Sequence, residues 1–223
     1  MAKPVTPLGP TRFDFGPLAR TYEQWYETPA GRAHDRVQQE DVRRLLPSAS
    51  AGERLLDVGC GTGHWSAFFC GMGYRVAGID IAPEMVEAAR AALPECAFEV
   101  ADAGALPFDD ASFDVVASMA TLEFVPDPAA VVGEMARCAR PGGVLLVGTL
   151  NRLAPLNRDR VARGEAPYGS ARLLSPDSLR RLLAPWGPVR MLASAAHDAP
   201  DAPSLAPEPG GLSGAFLVAK VQR

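Results

Sequence analysis

Three glycines, Gly59, Gly61 and Gly63, alternate with other residues directly after an apolar run. Glycine adopts positive φ readily and carries no Cβ, so a backbone built this way can lie close to a bound molecule. The next apolar segment begins near His64 and has the character of a helix, whose first N–H groups would point at that molecule. The spacing therefore predicts a ligand-binding turn between a strand and a helix.

The spacing of the glycines also limits the class of ligand. The dinucleotide pattern Gly-x-Gly-x-x-Gly places its third glycine where this chain has His64, whose side chain would obstruct helix packing or the approach of a pyrophosphate. The turn lacks the lysine and the Ser/Thr of a P-loop, which excludes a triphosphate. A nucleoside ligand without a pyrophosphate remains.

The segments around this turn alternate between predicted strands and helices, which indicates a doubly wound α/β sheet. Helices are predicted to begin after Thr28, Asp127 and Ser175, because each of these capping residues precedes a proline. Residues 141–143 (Pro-Gly-Gly) are predicted to form a turn. The predicted strands are 54–58, 74–80, 97–101, 114–119, 144–149, 189–195 and 215–221.

Residues 57–63 (Asp-Val-Gly-Cys-Gly-Thr-Gly) resemble the first motif of class I S-adenosylmethionine-dependent methyltransferases. The resemblance covers about residues 52–150 and is to the small-molecule group that includes methyltransferase type 11 and the ubiquinone–menaquinone methyltransferases. The further motifs that carry it are Asp80, residues 101–103 (Ala-Asp-Ala), residues 106–108 (Leu-Pro-Phe), residues 113–114 (Phe-Asp) and residues 140–143 (Arg-Pro-Gly-Gly).

The resemblance implies a Rossmann-like sheet of seven strands, mostly parallel, whose last two strands form an antiparallel hairpin. It also implies that S-adenosylmethionine donates a methyl group to a small-molecule nucleophile and leaves as S-adenosylhomocysteine. On this interpretation the chain comprises an N-terminal arm and lid helix (1–47), a cofactor-binding core (48–150), a substrate-covering insert (151–174) and the C-terminal completion of the sheet (175–223).

Two acidic residues at strand ends are expected to hold the nucleoside. Asp80 ends the second predicted strand, where a carboxylate can accept hydrogen bonds from both ribose hydroxyls. Alternatively, Asp80 caps the helix that begins near Pro83. The resemblance places Asp102 on the adenine amino group, with Ile81 and Ala103 flanking the ring.

The resemblance also assigns residues to the methionine end of the cofactor. Asp57 could orient the glycine turn or approach the amino group of the cofactor, and both interpretations stay open. Met119 ends the fourth predicted strand and would line the methyl-transfer end. Residues 13–27 are rich in aromatic side chains, and Tyr22 and Trp25 match a Tyr-Asp-x-Trp segment that closes over the cofactor in the family, with Glu23 in place of its aspartate. The alternative is that these rings only pack on the core.

The insert and the candidate bases concern the acceptor. No single residue is assigned as catalytic; the candidates for a general base are Tyr22, Tyr26, Tyr168 and Glu123, the last expected to be exposed.

Residues 150–174 have no clear period, and they contain five arginines but only two acidic residues, Asp159 and Glu165. This excess of positive charge favours an anionic substrate. A solvated loop is the alternative. The arginines are Arg152, Arg158, Arg160, Arg163 and Arg172.

Composition excludes several other classes of function. The net charge is −4, which gives no electrostatic basis for binding nucleic acid or an anionic membrane. The four cysteines are widely spaced, so reduced thiols and no metal site are expected. Without a signal segment or an apolar span, a cytoplasmic monomer or homodimer is predicted. A nicotinamide-dependent oxidoreductase and a non-catalytic S-adenosylmethionine-binding subunit are the alternatives.

Overall fold

A computed structural model describes residues 11–194 and 212–223. The prolines of residues 1–12 predict an extended arm, and those of residues 198–211 predict a mobile loop, but these two segments lie largely or wholly outside the described residues. None of the helices within the described ranges is long and apolar enough to cross a membrane.

Seven strands form one sheet in the order β3-β2-β1-β4-β5-β7-β6. Neighbours among β1 to β5 are parallel, whereas β7 runs antiparallel to both β5 and β6. The prediction of a mostly parallel, doubly wound sheet that ends in an antiparallel hairpin is therefore confirmed. The strands are β1 (Arg54–Val58), β2 (Arg75–Asp80), β3 (Ala97–Val100), β4 (Phe113–Met119), β5 (Ala139–Leu150), β6 (Val189–Ser194) and β7 (Phe216–Gln222).

Helices cover both faces of this sheet. Val42 of α2 and Phe69 of α3 are fully buried on one face, and Met135 of α5 and Leu179 of α7 are fully buried on the other. The order of the strands reverses between β1 and β4, so the carboxyl ends of these strands border a crevice. The helices are α1 (Gln24–Glu27), α2 (Pro29–Leu45), α3 (His64–Gly71), α4 (Pro83–Ala92), α5 (Pro128–Cys138), α6 (Pro155–Ala162) and α7 (Pro176–Leu183).

The predicted helix caps are present. Thr28 Oγ1 accepts a hydrogen bond from Gly31 N at 2.9 Å, and Asp127 Oδ1 accepts one from Ala129 N at 2.9 Å. Ser175 Oγ accepts one from Ser178 N at 3.2 Å. Each cap satisfies a backbone donor that has no partner within its helix.

One local prediction is wrong, and one segment without a clear period contains a helix. The turn predicted at residues 141–143 is instead part of β5, which begins at Ala139 and shifts register against β4. Gly142 adopts a φ of +76° there, and this irregularity accommodates a proline that cannot donate to the ladder. Residues 150–174, which have no clear period in the sequence, contain α6. The buried Asn157 side chain donates hydrogen bonds to the carbonyls of Asn151 and Ala215, and these bonds anchor the helix to the sheet.

Candidate functional site

A cavity opens at the carboxyl ends of β1, β2 and β4. Thr121 and Phe124, from the segment after β4 (residues 120–126), line it together with residues from the N-terminal segment (residues 11–27). Eight of the eleven predicted site residues also line it: Tyr22, Gly59, Gly61, Asp80, Ile81, Asp102, Ala103 and Met119. The topology therefore brings most of the predicted site into this single space, here called the first cavity.

The glycine turn forms the floor of the first cavity. All three of its glycines have positive φ, with values of 76° at Gly59, 54° at Gly61 and 95° at Gly63. A Cβ at Gly59 would collide with the Thr121 side chain, whereas a Cβ at Gly61 would meet no atom within 4 Å. Gly61 therefore presents bare backbone to the open space, as a turn that lies against a ligand requires.

Asp80 joins this turn to the end of β2. Its Oδ2 atom accepts a hydrogen bond from Gly61 N at 2.9 Å, and its Oδ1 atom accepts one from Ala82 N at 3.0 Å. Burial raises the pKa of Asp80, and the hydrogen bonds from Ala82 and Gly61 partly offset that rise. The carboxylate thus orders the approach to α4 while also facing the first cavity. Nearby, Asp102 Oδ1 accepts a hydrogen bond from Gly104 N at 2.8 Å.

Three predicted residues do not line the first cavity. Asp57 is buried beneath the turn, where its Oδ2 atom accepts a hydrogen bond from Ser66 Oγ at 2.7 Å. Its Oδ1 atom has no hydrogen-bond partner among the described residues, and burial raises the pKa of Asp57 to about 7. Gly63 is the N-cap of α3. Trp25 lies against a neighbouring cavity.

The N-terminal segment is attached to the start of α3 through His64. The His64 ring stacks on Tyr26, with 3.6 Å between the ring centroids and an interplanar angle of 12°. His64 Nε2 lies 2.8 Å from Asp35 Oδ1, and Nδ1 lies 3.3 Å from Glu23 Oε2. Burial alone would lower the pKa of His64, but the hydrogen bonds to Asp35 and Glu23 outweigh it and raise the pKa to about 9. Thr62 of the glycine turn also donates to Glu23.

Sequence reasoning did not identify this set of contacts. From the sequence, His64 is expected only to obstruct a dinucleotide, and Glu23 is expected only to replace the aspartate of a motif. The available signal was the acidic side chain of Glu23 within an aromatic segment and a single histidine at the start of a helix. That signal did not say which carboxylates the histidine would meet.

A second cavity adjoins the first. It shares with the first cavity the side chains of Tyr22, Tyr26 and Phe124, and it extends away from the glycine turn toward the insert. Trp25 lines it on one side, and Tyr168 of the insert lines it on another. The two cavities are therefore adjacent, with these three side chains at their junction.

The candidate bases occupy different environments. Tyr22 and Tyr26 line both cavities, and burial raises the pKa of Tyr22 to about 12 and that of Tyr26 well above its ordinary value, so both phenols are neutral. Tyr168 lines the second cavity. The expectation that Glu123 is exposed is wrong, because the side chain is fully buried.

Glu123 instead links the segment after β4 to the end of β5. Its Oε2 atom accepts a hydrogen bond from Thr149 Oγ1 at 2.9 Å, and its Oε1 atom accepts one from Leu150 N at 3.1 Å. Burial raises the pKa of Glu123 to about 7. Glu123 lines neither of the two cavities described above.

Two of the cysteines that are far apart in the sequence meet in the fold. Cys70 Sγ lies 3.3 Å from Cys96 Sγ, and possible ligand atoms of Cys70, Glu95 and Cys96 lie within 4.8 Å of one another. All four cysteines are free thiols. The cysteine pair lies at the opposite end of α3 from His64 and lines neither cavity.

Comparisons with known proteins agree with the fold and the glycine turn. The family model described as a methyltransferase domain matches residues 56–147. The chain is 41% identical over 125 residues to a ubiquinone biosynthesis O-methyltransferase of Xanthomonas oryzae pv. oryzae, covering 51% of this chain and 52% of that protein. It is 39% identical over 115 residues to a malonyl-[acyl-carrier protein] O-methyltransferase of Serratia marcescens, covering 50% of this chain and 45% of that protein. The chain thus spans about half the length of these curated relatives.

A solved structure extends the similarity beyond that half. A methyltransferase of Thermotoga maritima, described as S-adenosylmethionine-dependent and a possible histamine N-methyltransferase, superimposes with a TM-score of 0.76 at 27% identity, over 93% of this chain and 97% of that chain. The matched segment, the seven-stranded sheet and this superposition lead to one conclusion. Residues 56–147 are similar to a methyltransferase domain, and the sheet that they help to form has the fold of an S-adenosylmethionine-dependent methyltransferase.

Proposed function

We propose that this protein transfers a methyl group from S-adenosylmethionine, bound in the first cavity, to a nucleophile on a small molecule bound in the second. The observation that carries this proposal is the junction of the two cavities at Tyr22, Tyr26 and Phe124. S-adenosylmethionine supplies a methyl group made electrophilic by its sulfonium. The chain must then align the acceptor at close distance and exclude water.

The residues of the first cavity fit a nucleoside with a short charged tail. Asp80 would accept hydrogen bonds from the ribose hydroxyls, and Asp102 would accept one from the adenine amino group between Ile81 and Ala103. The bare backbone at Gly61 supports this assignment, because a side chain there would project into the open space. The buried Oδ1 atom of Asp57, which has no partner among the described residues, leaves open both a role in orienting the turn and a role toward the amino group.

We assign the remaining predicted residues by their positions. Met119 and Tyr22 would border the methyl-transfer end, and Gly63 would set the start of α3. Trp25 lines the second cavity, so its contact with the cofactor stays a prediction, and a contact with the acceptor is better supported. The division into a lid (1–47), a core (48–150), an insert (151–174) and a C-terminal completion (175–223) also stays a proposal.

The acceptor needs little help from a base on this proposal. Tyr22 and Tyr26 are neutral donors at the junction, and Glu123 is buried away from both cavities. A nucleophile with an available lone pair, or one that is already ionised, therefore suits the junction best. The net charge of −4 supports a small molecule rather than a nucleic acid or a membrane as the partner. We further propose a cytoplasmic location and a monomer or homodimer.

Two alternatives make different predictions about binding and turnover. A nicotinamide-dependent oxidoreductase is disfavoured because His64 occupies the position of the third dinucleotide glycine and is held by Asp35 and Glu23. A non-catalytic subunit would bind S-adenosylmethionine without releasing S-adenosylhomocysteine in the presence of any acceptor. A metabolite screen that monitors S-adenosylhomocysteine separates that subunit from an enzyme.

Isothermal titration with S-adenosylmethionine, S-adenosylhomocysteine and NAD tests the cofactor assignment. We expect both S-adenosyl ligands to bind and NAD not to bind. Asp80→Asn keeps an acceptor for the backbone but loses the charge, so affinity should fall at least about tenfold, since a hydrogen bond to a charged group contributes ~1.5–3 kcal/mol. Asp109→Asn, at an exposed position, is the matched control. Binding of NAD alone would contradict the proposal, and an unchanged affinity in Asp80→Asn would leave Asp80 with only its capping role.

A further inference from the structure

The lining of the second cavity indicates what kind of molecule would fill it. Eight aromatic side chains border the cavity, and they come from the N-terminal segment, the sheet, α3, the segment after β4 and the insert. Flat apolar molecules pack well against such rings. The eight are Phe15, Tyr22, Trp25, Tyr26, Trp65, Phe124, Tyr168 and Phe216.

One arginine of the insert also lines this cavity. The Arg160 guanidinium lies over the Tyr168 ring, 4.7 Å from its centroid, which fixes the cation at the cavity wall. None of the ion pairs among the described residues involves Arg160. The other four arginines of the insert are exposed and do not line the cavity. Of the five arginines that give the insert its excess of positive charge, Arg160 is the one that lines the second cavity.

A carboxylate also reaches the cavity, but it already has a partner. Glu165 Oε1 lies 2.6 Å from Arg163 Nε, and this pair neutralises its charge locally. Aromatic rings by themselves would also accept a cationic ligand through their faces. Arg160, however, would repel such a ligand at short range, and because Glu165 is already paired with Arg163, the charge of Arg160 favours an anion.

We propose that the acceptor is a flat, mainly apolar molecule that carries an anionic group such as a carboxylate. This inference rests on the proposed function, because it places the acceptor in the second cavity. The rings of Trp25, Tyr26 and Phe216 would hold the body of the molecule, and Arg160 would bind the anionic group. The nucleophile would then lie at the opposite end, toward the junction at Tyr22 and Phe124.

Three fluorescent probes of similar size and different charge test this inference. With the first cavity saturated by S-adenosylhomocysteine, we would titrate anionic 1-anilinonaphthalene-8-sulfonate, neutral N-phenyl-1-naphthylamine and cationic thioflavin T. The anionic dye should bind more tightly than the other two. Arg160→Gln should weaken the anionic dye by about tenfold, as expected for a lost hydrogen bond to a charged group, and change the neutral dye little. Trp25→Leu should weaken both of these dyes.

Arg158→Gln is the matched control, because Arg158 lies on the same helix but is exposed and outside the cavity. It should change none of the three affinities. Tighter binding of thioflavin T than of the anionic dye, or equal losses for the anionic and neutral dyes in Arg160→Gln, would overturn the inference. If S-adenosylhomocysteine binds and the anionic dye is not preferred, the inference about the acceptor fails while the proposed function stands. If S-adenosylhomocysteine does not bind, the proposed function fails, and the comparison of dyes still reports the charge preference of the cavity.

Discussion

At the scale of single residues, Asp57 is a buried carboxyl group whose ionisation lowers the free energy of unfolding. Its carboxyl group lies beneath the glycine turn with one oxygen bonded to Ser66 and the other without a partner among the described residues. Burial raises its pKa from an ordinary value of 3.8 to about 7. The folded protein therefore holds the proton more tightly than the unfolded chain does, and ionisation of Asp57 opposes folding.

Asp57→Asn should stabilise the protein without cofactor at pH 8. The sign follows from linkage: the folded state binds more protons than the unfolded state between about pH 4 and 7, so the Asp57 penalty grows across that window and is complete above it. Asparagine cannot ionise, so the free energy of unfolding should rise by about 1–3 kcal/mol at pH 8, with a much smaller gain at pH 4. Urea unfolding at several pH values measures this.

The matched control for Asp57→Asn is again Asp109→Asn, which removes an exposed carboxylate and should leave the pH dependence unchanged. A destabilisation at pH 8 would show that the charged form of Asp57 is favoured in the fold, against the argument from burial. A separate titration with S-adenosylmethionine then asks whether Asp57 also approaches the amino group of the cofactor, since that role predicts weaker binding in Asp57→Asn.

At the scale of elements, two ionic contacts of His64 hold the start of α3 to the N-terminal segment and to α2. A protonated histidine at the start of a helix opposes the helix dipole. Asp35 of α2 and Glu23, which precedes α1, offset that cost through their contacts with His64. Glu23 also accepts a hydrogen bond from the Thr62 hydroxyl, and this further contact ties the N-terminal segment directly to the glycine turn.

His64→Gln should destabilise the protein at pH 6 and have little effect at pH 9.5 or above. The pKa of His64 is raised from 6.5 to about 9, so its ionic stabilisation is fully present below about pH 6.5 and is lost as the pH rises through about 9. We expect a loss of about 1–3 kcal/mol at pH 6. The difference in free energy of unfolding between wild type and variant, followed by urea denaturation from pH 6 to 10, measures the change.

Glu27→Gln provides the control for this element, because Glu27 is an exposed carboxylate at the end of α1. Its effect should not vary with pH in the same window. A His64→Gln difference that stays constant from pH 6 to 10 would mean that stacking on Tyr26, rather than the ionic contacts, attaches the segment.

At the scale of the whole molecule, binding of a ligand in the first cavity should protect the N-terminal segment from proteolysis. Thr11, Phe15, Tyr22 and Tyr26 all line the first cavity, so a ligand there would contact the segment as well as the sheet. S-adenosylhomocysteine at ~100 times its Kd should raise the free energy of unfolding by ~2.7 kcal/mol through mass action. It should also slow chymotrypsin cleavage within residues 13–27, where the aromatic residues are concentrated.

NAD at the same concentration serves as the control for both readouts and should change neither. Cleavage at an unchanged rate, with a normal gain in global stability, would show that the segment packs on the core independently of the ligand. That outcome would support the alternative interpretation of the aromatic cluster as core packing only.

Features that depend on neighbouring residues were predictable from the sequence. The strands from β1 to β4, the capped helices and the positive φ of the glycine turn follow from local patterns of apolar residues, glycine and proline. The grouping of Asp80 with the glycine turn was also predictable, because parallel strands end at the same edge of a sheet. The run at residues 141–143 misled, since it favours a turn locally but lies within β5, where these residues have no partner on β4 and shift the register between the two strands.

Contacts between distant segments were decided only by the tertiary structure. His64 meets Glu23 and Asp35 from 41 and 29 residues away, and no local pattern specifies which carboxylates a histidine will contact. Glu123 follows a strand like an exposed loop residue, yet packing of the insert and β5 around it leaves it fully buried. The amino-acid sequence by itself therefore determined the sheet and the grouping of the glycine turn with Asp80 at the first cavity, where local conformation and strand direction suffice. The second cavity and its single lining arginine were decided by how separate segments pack against one another, because burial and charge pairing depend on neighbours that are remote in the chain.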